Sequence, residues 1–184
     1  FKVLNPLKFI FIMNFNQIGE LIDQWWDQWR GNPTLDKIFY ASSNLGDFSL
    51  IWHIVGGLAA LPPGKEANQA LRFSALMGAE SLIVNQLIKR QFNRPRPGSA
   101  DDNVSKYQLR EPITSSFPSG HASAAFCAAT VLARRTRIGN LWFVAAAFIS
   151  MSRVHVRLHH ASDLVGGALI GSIIGKLTHR FIGK

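Results

Sequence analysis

His159 and Asp163 stand four residues apart in the stretch SRVHVRLHHASD, a spacing that places both on one face if the stretch is helical. A carboxylate held against one imidazole nitrogen fixes the tautomer and makes the other nitrogen a better nucleophile. Arg153, earlier in the same stretch, offers a fork of donors suited to phosphate oxygens. A second set is Pro118, Ser119, Gly120 and His121, directly before an uncharged alanine-rich run. Proline suits a first helical turn, serine supplies a hydroxyl and an N–H, and glycine lets a ligand approach the main chain. The free N–H groups of a helix start bind anions, and His121 there can hand a proton to a leaving oxygen. The tetrad reads either as a phosphate cradle with an acid beside it or as an ordinary cap with an incidental histidine. The third set, KRQFNRPRP, holds Lys89, Arg94 and Arg96, with Pro95 and Pro97 stiffening the chain. Taken alone, such a run is a solvated basic face.

His155, His159 and Asp163 also have metal-ligand spacing on a helix. Lys89, Arg96 and Arg153 weigh against that reading, because they repel a divalent cation and attract a phosphate. No metal and no cofactor are expected.

The elements that must carry these residues are helical. Apolar runs at roughly 38–61, 67–87, 120–133, 141–156 and 162–181 predict five helices, broken by Pro62-Pro63-Gly64 and by 134–140. In 16–30, Ile18, Leu21, Ile22, Trp25, Trp26 and Trp29 recur at steps of three and four, predicting an amphipathic helix whose tryptophan face suits either a bilayer interface or a protein core. Gly167, Gly171 and Gly175 recur every four residues, which favours close approach of two helices, as in a membrane. The one cysteine, Cys127, sits in an apolar run and reads as a small buried side chain. The first residue is Phe1, from which some native N-terminal sequence is expected to be missing.

The 184 residues fit one domain, 1–184, with an amphipathic region at 1–30 and the motif-bearing core at 89–163. A formal charge of +9 calls for an anionic partner. The cations cluster at helix ends rather than along a stripe with stacking aromatics, so nucleic acid is not expected. Arg134, Arg135 and Arg137 in one short loop, with Lys176, Arg180 and Lys184 at the chain end, predict a cytoplasmic side for those ends. The three chemical stretches then share the opposite, extracytoplasmic face.

In order, Lys89-x6-Arg96-Pro97, Pro118-Ser119-Gly120-His121 and Ser152-Arg153-x5-His159-x3-Asp163 resemble the signature of the type 2 phosphatidic acid phosphatase superfamily, which also includes bacterial acid phosphatases and vanadium haloperoxidases. The resemblance implies an all-α, integral-membrane bundle, commonly of six helices; with the N-terminal amphipathic interfacial helix read at 16–30 replacing or following the first, five or six transmembrane helices are expected. It implies a metal-independent lipid phosphate phosphatase of the cell membrane. His159 would attack phosphorus and form a phosphohistidine, Asp163 would orient it, and His121 would protonate the leaving oxygen and later activate water. Lys89, Arg96, Ser119, Gly120 and Arg153 would hold the phosphoryl oxygens. The family often has an aromatic residue where His155 stands and a glycine where Arg157 stands, so these two are possible additional headgroup contacts. The loop from Gly98 to Phe117, with Asp101, Asp102, Lys106, Arg110 and Glu111, is expected to shape the headgroup entrance. The partners implied are a membrane lipid phosphate and the bilayer. Phosphoryl transfer, haloperoxidation with bound vanadate and non-catalytic lipid binding are the alternatives.

Overall fold

A computed structural model describes residues 17–59, 67–100 and 114–182, and within these every regular element is helical. The acidic and cationic loop positions Asp101, Asp102, Lys106, Arg110 and Glu111, and Lys184, lie outside the described residues.

Helix α1 covers 17–26 and runs into a tight turn at Asp27–Trp29. Helix α2, Pro33–Leu45, starts where the Asn32 side chain accepts from the N–H groups of Thr34 and Leu35, with proline at the first helical position. One helix was expected over 38–61. The chain instead breaks at Gly46 and a short turn, Asp47–Ser49, with Ser49 at a φ of 58°, before α3 resumes at Leu50–Ala59. Apolar periodicity runs through this break, so the pattern does not mark it; the packing does, because Gly46 lies against the ring of His121.

Helix α4, Ala67–Leu82, widens into a π-helical stretch, Ile83–Ile88, and ends at Lys89–Gln91. Such local widening is common beside functional sites. Helices α5 (Gly120–Leu132), α6 (Leu141–His155) and α7 (Ala161–Thr178) follow close to their predicted bounds. Pro118 stands before the cap residue Ser119 rather than in the first turn, joined to Phe117 by a cis peptide.

The seam between α5 and α7 organises the bundle. A side chain at Gly167, Gly171 or Gly175 would run into the carbonyl of Ser119, Ser123 or Cys127 respectively. Four-residue steps on α7 thus meet four-residue steps on α5, the two helices run parallel, and their N-termini lie side by side. Each helical glycine costs about 1 kcal/mol relative to alanine, which the close packing offsets. Small residues fill the core beside this seam: Ala124, Ala125, Ala128 and Ala129, under Trp52, Phe73 and Met77. Cys127 is buried there.

At the far end Arg134 lies 2.9 Å from His179, which stands between Lys176 and Arg180 in sequence. No described helix is long and apolar enough to cross a membrane by itself. Among the described residues the expectation of five or six spanning helices therefore lacks its simplest support: the break at Gly46 leaves α2 with 13 residues where one long helix is predicted.

Candidate active site

Because α5 and α7 start side by side, the glycine seam brings the second and third motifs together. The Ser119 N–H donates to the Asp163 carbonyl at 3.0 Å, while the Ser119 hydroxyl accepts from the Ala122 N–H and caps α5. Gly120 leaves room for Asn85 of the π-helical stretch, whose Oδ1 would sit 2.8 Å from any added Cβ. This fixes the end of α4, and with it Lys89, against the start of α5.

His159 lies in the turn between α6 and α7 and is 2% exposed. Its Nδ1 faces Asp163 Oδ2 at 3.5 Å without the alignment of a hydrogen bond, and its Nε2 faces Arg96 Nη1 at 3.4 Å. A cationic donor on the Nε2 side leaves the ring proton on Nδ1, toward the carboxylate. Burial pushes the His159 pKa well below its ordinary value; Asp163 opposes this, and Lys89, Arg153 and Arg96 reinforce it. The ring is therefore held neutral, with a lone pair at Nε2.

Each neighbour is itself held. Asp163 is fully buried and accepts from Arg94 Nη1 at 2.5 Å and from the His160 N–H at 2.9 Å. Arg94 also donates to Ser162 at 2.8 Å. Arg96 is buried and donates to the carbonyls of Leu158 at 2.6 Å and Thr114 at 3.0 Å. Arg153, 2% exposed, donates to the Ser43 hydroxyl, and its Nη1 lies 3.7 Å from Asp47. His121 Nε2 faces Asp47 Oδ1 at 3.0 Å.

The other two predicted contacts sit differently. Both ring nitrogens of His155 are engaged: Nδ1 accepts from Trp26 Nε1 at 3.1 Å and Nε2 lies 2.8 Å from Asp36 Oδ1. The ring also stacks on Phe39 with centroids 4.5 Å apart, so it packs as an aromatic would and has no nitrogen left for a headgroup. Arg157 adopts a φ of 56°, a conformation that favours glycine, and its guanidinium reaches Asp27 at 3.2 Å. Among the described residues no group of three His, Cys, Asp or Glu side chains is placed to hold a metal ion.

Sequence reasoning left Arg94 as an unassigned cation and gave no role to Ser43, Asp47, Asp23 or Arg30. Asp23 binds His160 Nδ1 at 2.7 Å and the Ala161 N–H at 3.0 Å. Arg30 grips the carbonyls of Val154 at 2.6 Å and His155 at 2.9 Å. Arg94 and Asp163 both lie inside the motif stretches, which gave that pair a signal; Ser43, Asp47, Asp23 and Arg30 lie outside those stretches and had none.

The PAP2 superfamily model matches residues 69–184, more than half of the chain. The chain belongs to the PAP2 superfamily. Among characterised members, it is 28% identical over 136 residues to the decaprenylphosphoryl-5-phosphoribose phosphatase of Mycobacterium tuberculosis, covering 73% of each chain. It is 26% identical to the undecaprenyl-diphosphatase of Bacillus subtilis, covering 63% of this chain and 60% of that one. The fold matches the crystal structure of a transmembrane PAP2 type phosphatidylglycerolphosphate phosphatase from Bacillus subtilis, with a TM-score of 0.70, 22% identity and coverage of 94% and 92%. The superfamily match begins in α4, so α1 to α3, with Asp23, Arg30 and Asp47, lie outside it.

Proposed function

We propose that this chain is a membrane lipid phosphate phosphatase that removes the terminal phosphate of a membrane lipid phosphate or isoprenoid diphosphate through a phosphohistidine. The observation that carries the reading is the buried, neutral His159, backed by Asp163 and facing a cationic wall of Arg96, Lys89 and Arg153. A binding protein would use the cations but has no need of a nucleophile held in one tautomer.

In the first step His159 Nε2 attacks phosphorus, the bond from phosphorus to the bridging oxygen breaks, and His121 gives that oxygen its proton. Asp163 stabilises the positive charge that develops on the His159 ring. Lys89, Arg96, Arg153, the Ser119 hydroxyl and the Gly120 N–H receive the non-bridging oxygens, whose charge is largest in the transition state. In the second step His121, now neutral, takes a proton from water as the water oxygen attacks the phosphohistidine, releasing phosphate and restoring both histidines.

A lipid substrate accords with the named relatives, both of which act on polyprenyl compounds by their names. It accords also with the outer face of α7, where Val165, Leu169, Ile173 and Leu177 are 49–69% exposed in a row of four-residue steps. An apolar face of that extent suits a lipid environment. With the basic end at Arg134 and His179 on the cytoplasmic side, the site opens on the extracytoplasmic surface.

The test is phosphate release in detergent from phosphatidic acid, phosphatidylglycerol phosphate and undecaprenyl diphosphate, with EDTA present and His159→Ala alongside. Turnover by the wild type and none by the variant is expected. Turnover that survives in the variant, or that needs added divalent ions, overturns the reading.

A further inference from the structure

We infer that Asp47 is a positioning residue for proton transfer by His121, a second carboxylate–histidine pair facing the His159–Asp163 pair; the inference rests on the phosphatase reading above. Asp47 Oδ1 lies 3.0 Å from His121 Nε2 and 3.7 Å from Arg153 Nη1, between the residue that delivers the proton and one that holds phosphoryl oxygens. The local fold brings it there. Gly46 packs so closely on His121 that an added Cβ would lie 2.6 Å from the ring Cδ2, and the turn at Asp47–Ser49 interrupts what would otherwise be one continuous helix. Ser43, one turn earlier on α2, accepts from Arg153, so the end of α2 touches both residues at once.

The chemistry follows from which nitrogen is taken. Burial and the Arg153 charge oppose protonation of His121 and Asp47 favours it; once the ring is protonated with Nε2 turned to the Asp47 carboxylate, the Nδ1 proton is the one left for the leaving oxygen. As the bond from phosphorus to the bridging oxygen breaks, that proton moves from Nδ1 to oxygen, and the ring is left neutral with its remaining proton on Nε2, directed at Asp47. When water attacks, Nδ1 takes a proton back, and the carboxylate stabilises the imidazolium. The contact lacks hydrogen-bond alignment; such contacts commonly tighten when substrate binds.

This role predicts a leaving-group signature. Loss of acid catalysis slows departure of a poor leaving group, an alkoxide, and spares a good one such as 4-nitrophenolate. The experiment measures kcat/KM for hexyl phosphate and for 4-nitrophenyl phosphate in the wild type, Asp47→Asn and His121→Ala. In Asp47→Asn the hexyl phosphate value is expected to fall by about 30-fold and the aryl value by less than about threefold, with a larger change of the same kind in His121→Ala. Equal losses on both substrates in Asp47→Asn, with the selective loss present in His121→Ala, overturn the role of Asp47 alone. Absence of selectivity in His121→Ala overturns the assignment of His121 itself. Retained aryl phosphate turnover reports that the variant is folded; where Asp47→Asn does not fold, Asp47→Ser, which keeps a turn-forming hydroxyl without the charge, is read by the same two rates.

Discussion

Residues 67–182 and residues 17–59 contribute to the same site in opposite ways. The later region supplies the two histidines, the cations and the helix start, held together by the glycine seam between α5 and α7. The earlier region supplies carboxylates that brace them from outside: Asp23 on His160, Asp27 on Arg157, Asp36 on His155, and Asp47 on His121. A cluster of buried cations and histidines is costly unless it is paired. The comparison teaches that the proposed reactive groups all fall within the three motif stretches, whereas the carboxylates that brace them from α1 to α3 come from a part of the chain outside those stretches.

The sharpest way to separate the regions is to remove one carboxylate from each. Asp163→Asn leaves Arg94 facing an amide and takes away the carboxylate proposed to orient His159. Its turnover is expected to fall roughly 10³- to 10⁴-fold, as when the carboxylate of a catalytic triad is replaced, with helical content by circular dichroism unchanged. A loss under tenfold would mean that the orienting role lies elsewhere. Asp163 was legible because its partner His159 stands four positions earlier in sequence, although His159 lies in the turn before α7 and not on the helix.

Next in size is the seam. A leucine at position 171 would drive a side chain into the Ser123 backbone, which cannot move without separating α5 from α7. Overpacking of this kind costs about 3 kcal/mol or more, and a large drop in the thermal midpoint in detergent is expected for Gly171→Leu. Leucine at Gly57, where nothing lies within 4 Å of an added Cβ, is the control and should leave the midpoint nearly unchanged. A drop no larger than that of the control would show that the two helices are free to part. The four-residue glycine steps pointed to this interface from sequence alone. They did not reveal that it sets the distance between Ser119 and Asp163, because a repeat says that two helices approach and not which two.

The bracing carboxylates come third. Asp23→Asn loses the carboxylate contact with His160 and weakens acceptance from the Ala161 N–H, both next to the turn that carries His159. Lost hydrogen bonds to a partly buried charge cost about 2 kcal/mol. Faster amide exchange over residues 158–164 is expected, with a several-fold fall in kcat and no loss of the global fold. Unchanged exchange would separate α1 from the site. None of this was readable in the sequence, where 17–30 showed only its apolar periodicity. The polar side chains on the other face, Asp23 and Arg30 among them, look like an ordinary solvated surface until the fold sets them against 154–161. The same holds for the break at Gly46, which tertiary packing imposes on a segment whose local pattern is helical throughout.

The smallest effect is expected at Arg157, and its smallness is informative. In Arg157→Gly the left-handed backbone is relieved of roughly 1–2 kcal/mol of strain. The more flexible unfolded chain takes back about 0.4–1 kcal/mol, and loss of the exposed pair with Asp27 takes roughly 0.2–1 kcal/mol more. Asp27 keeps Arg30 as a partner, so no carboxylate is stranded. The three contributions nearly cancel, and a thermal midpoint within a few degrees of the wild type is expected, with turnover retained. A large loss of turnover at unchanged stability would instead put the Arg157 guanidinium in contact with substrate. The contact with Asp27 would then compete with headgroup binding, and the bracing by α1 would be part of substrate selection rather than of folding alone.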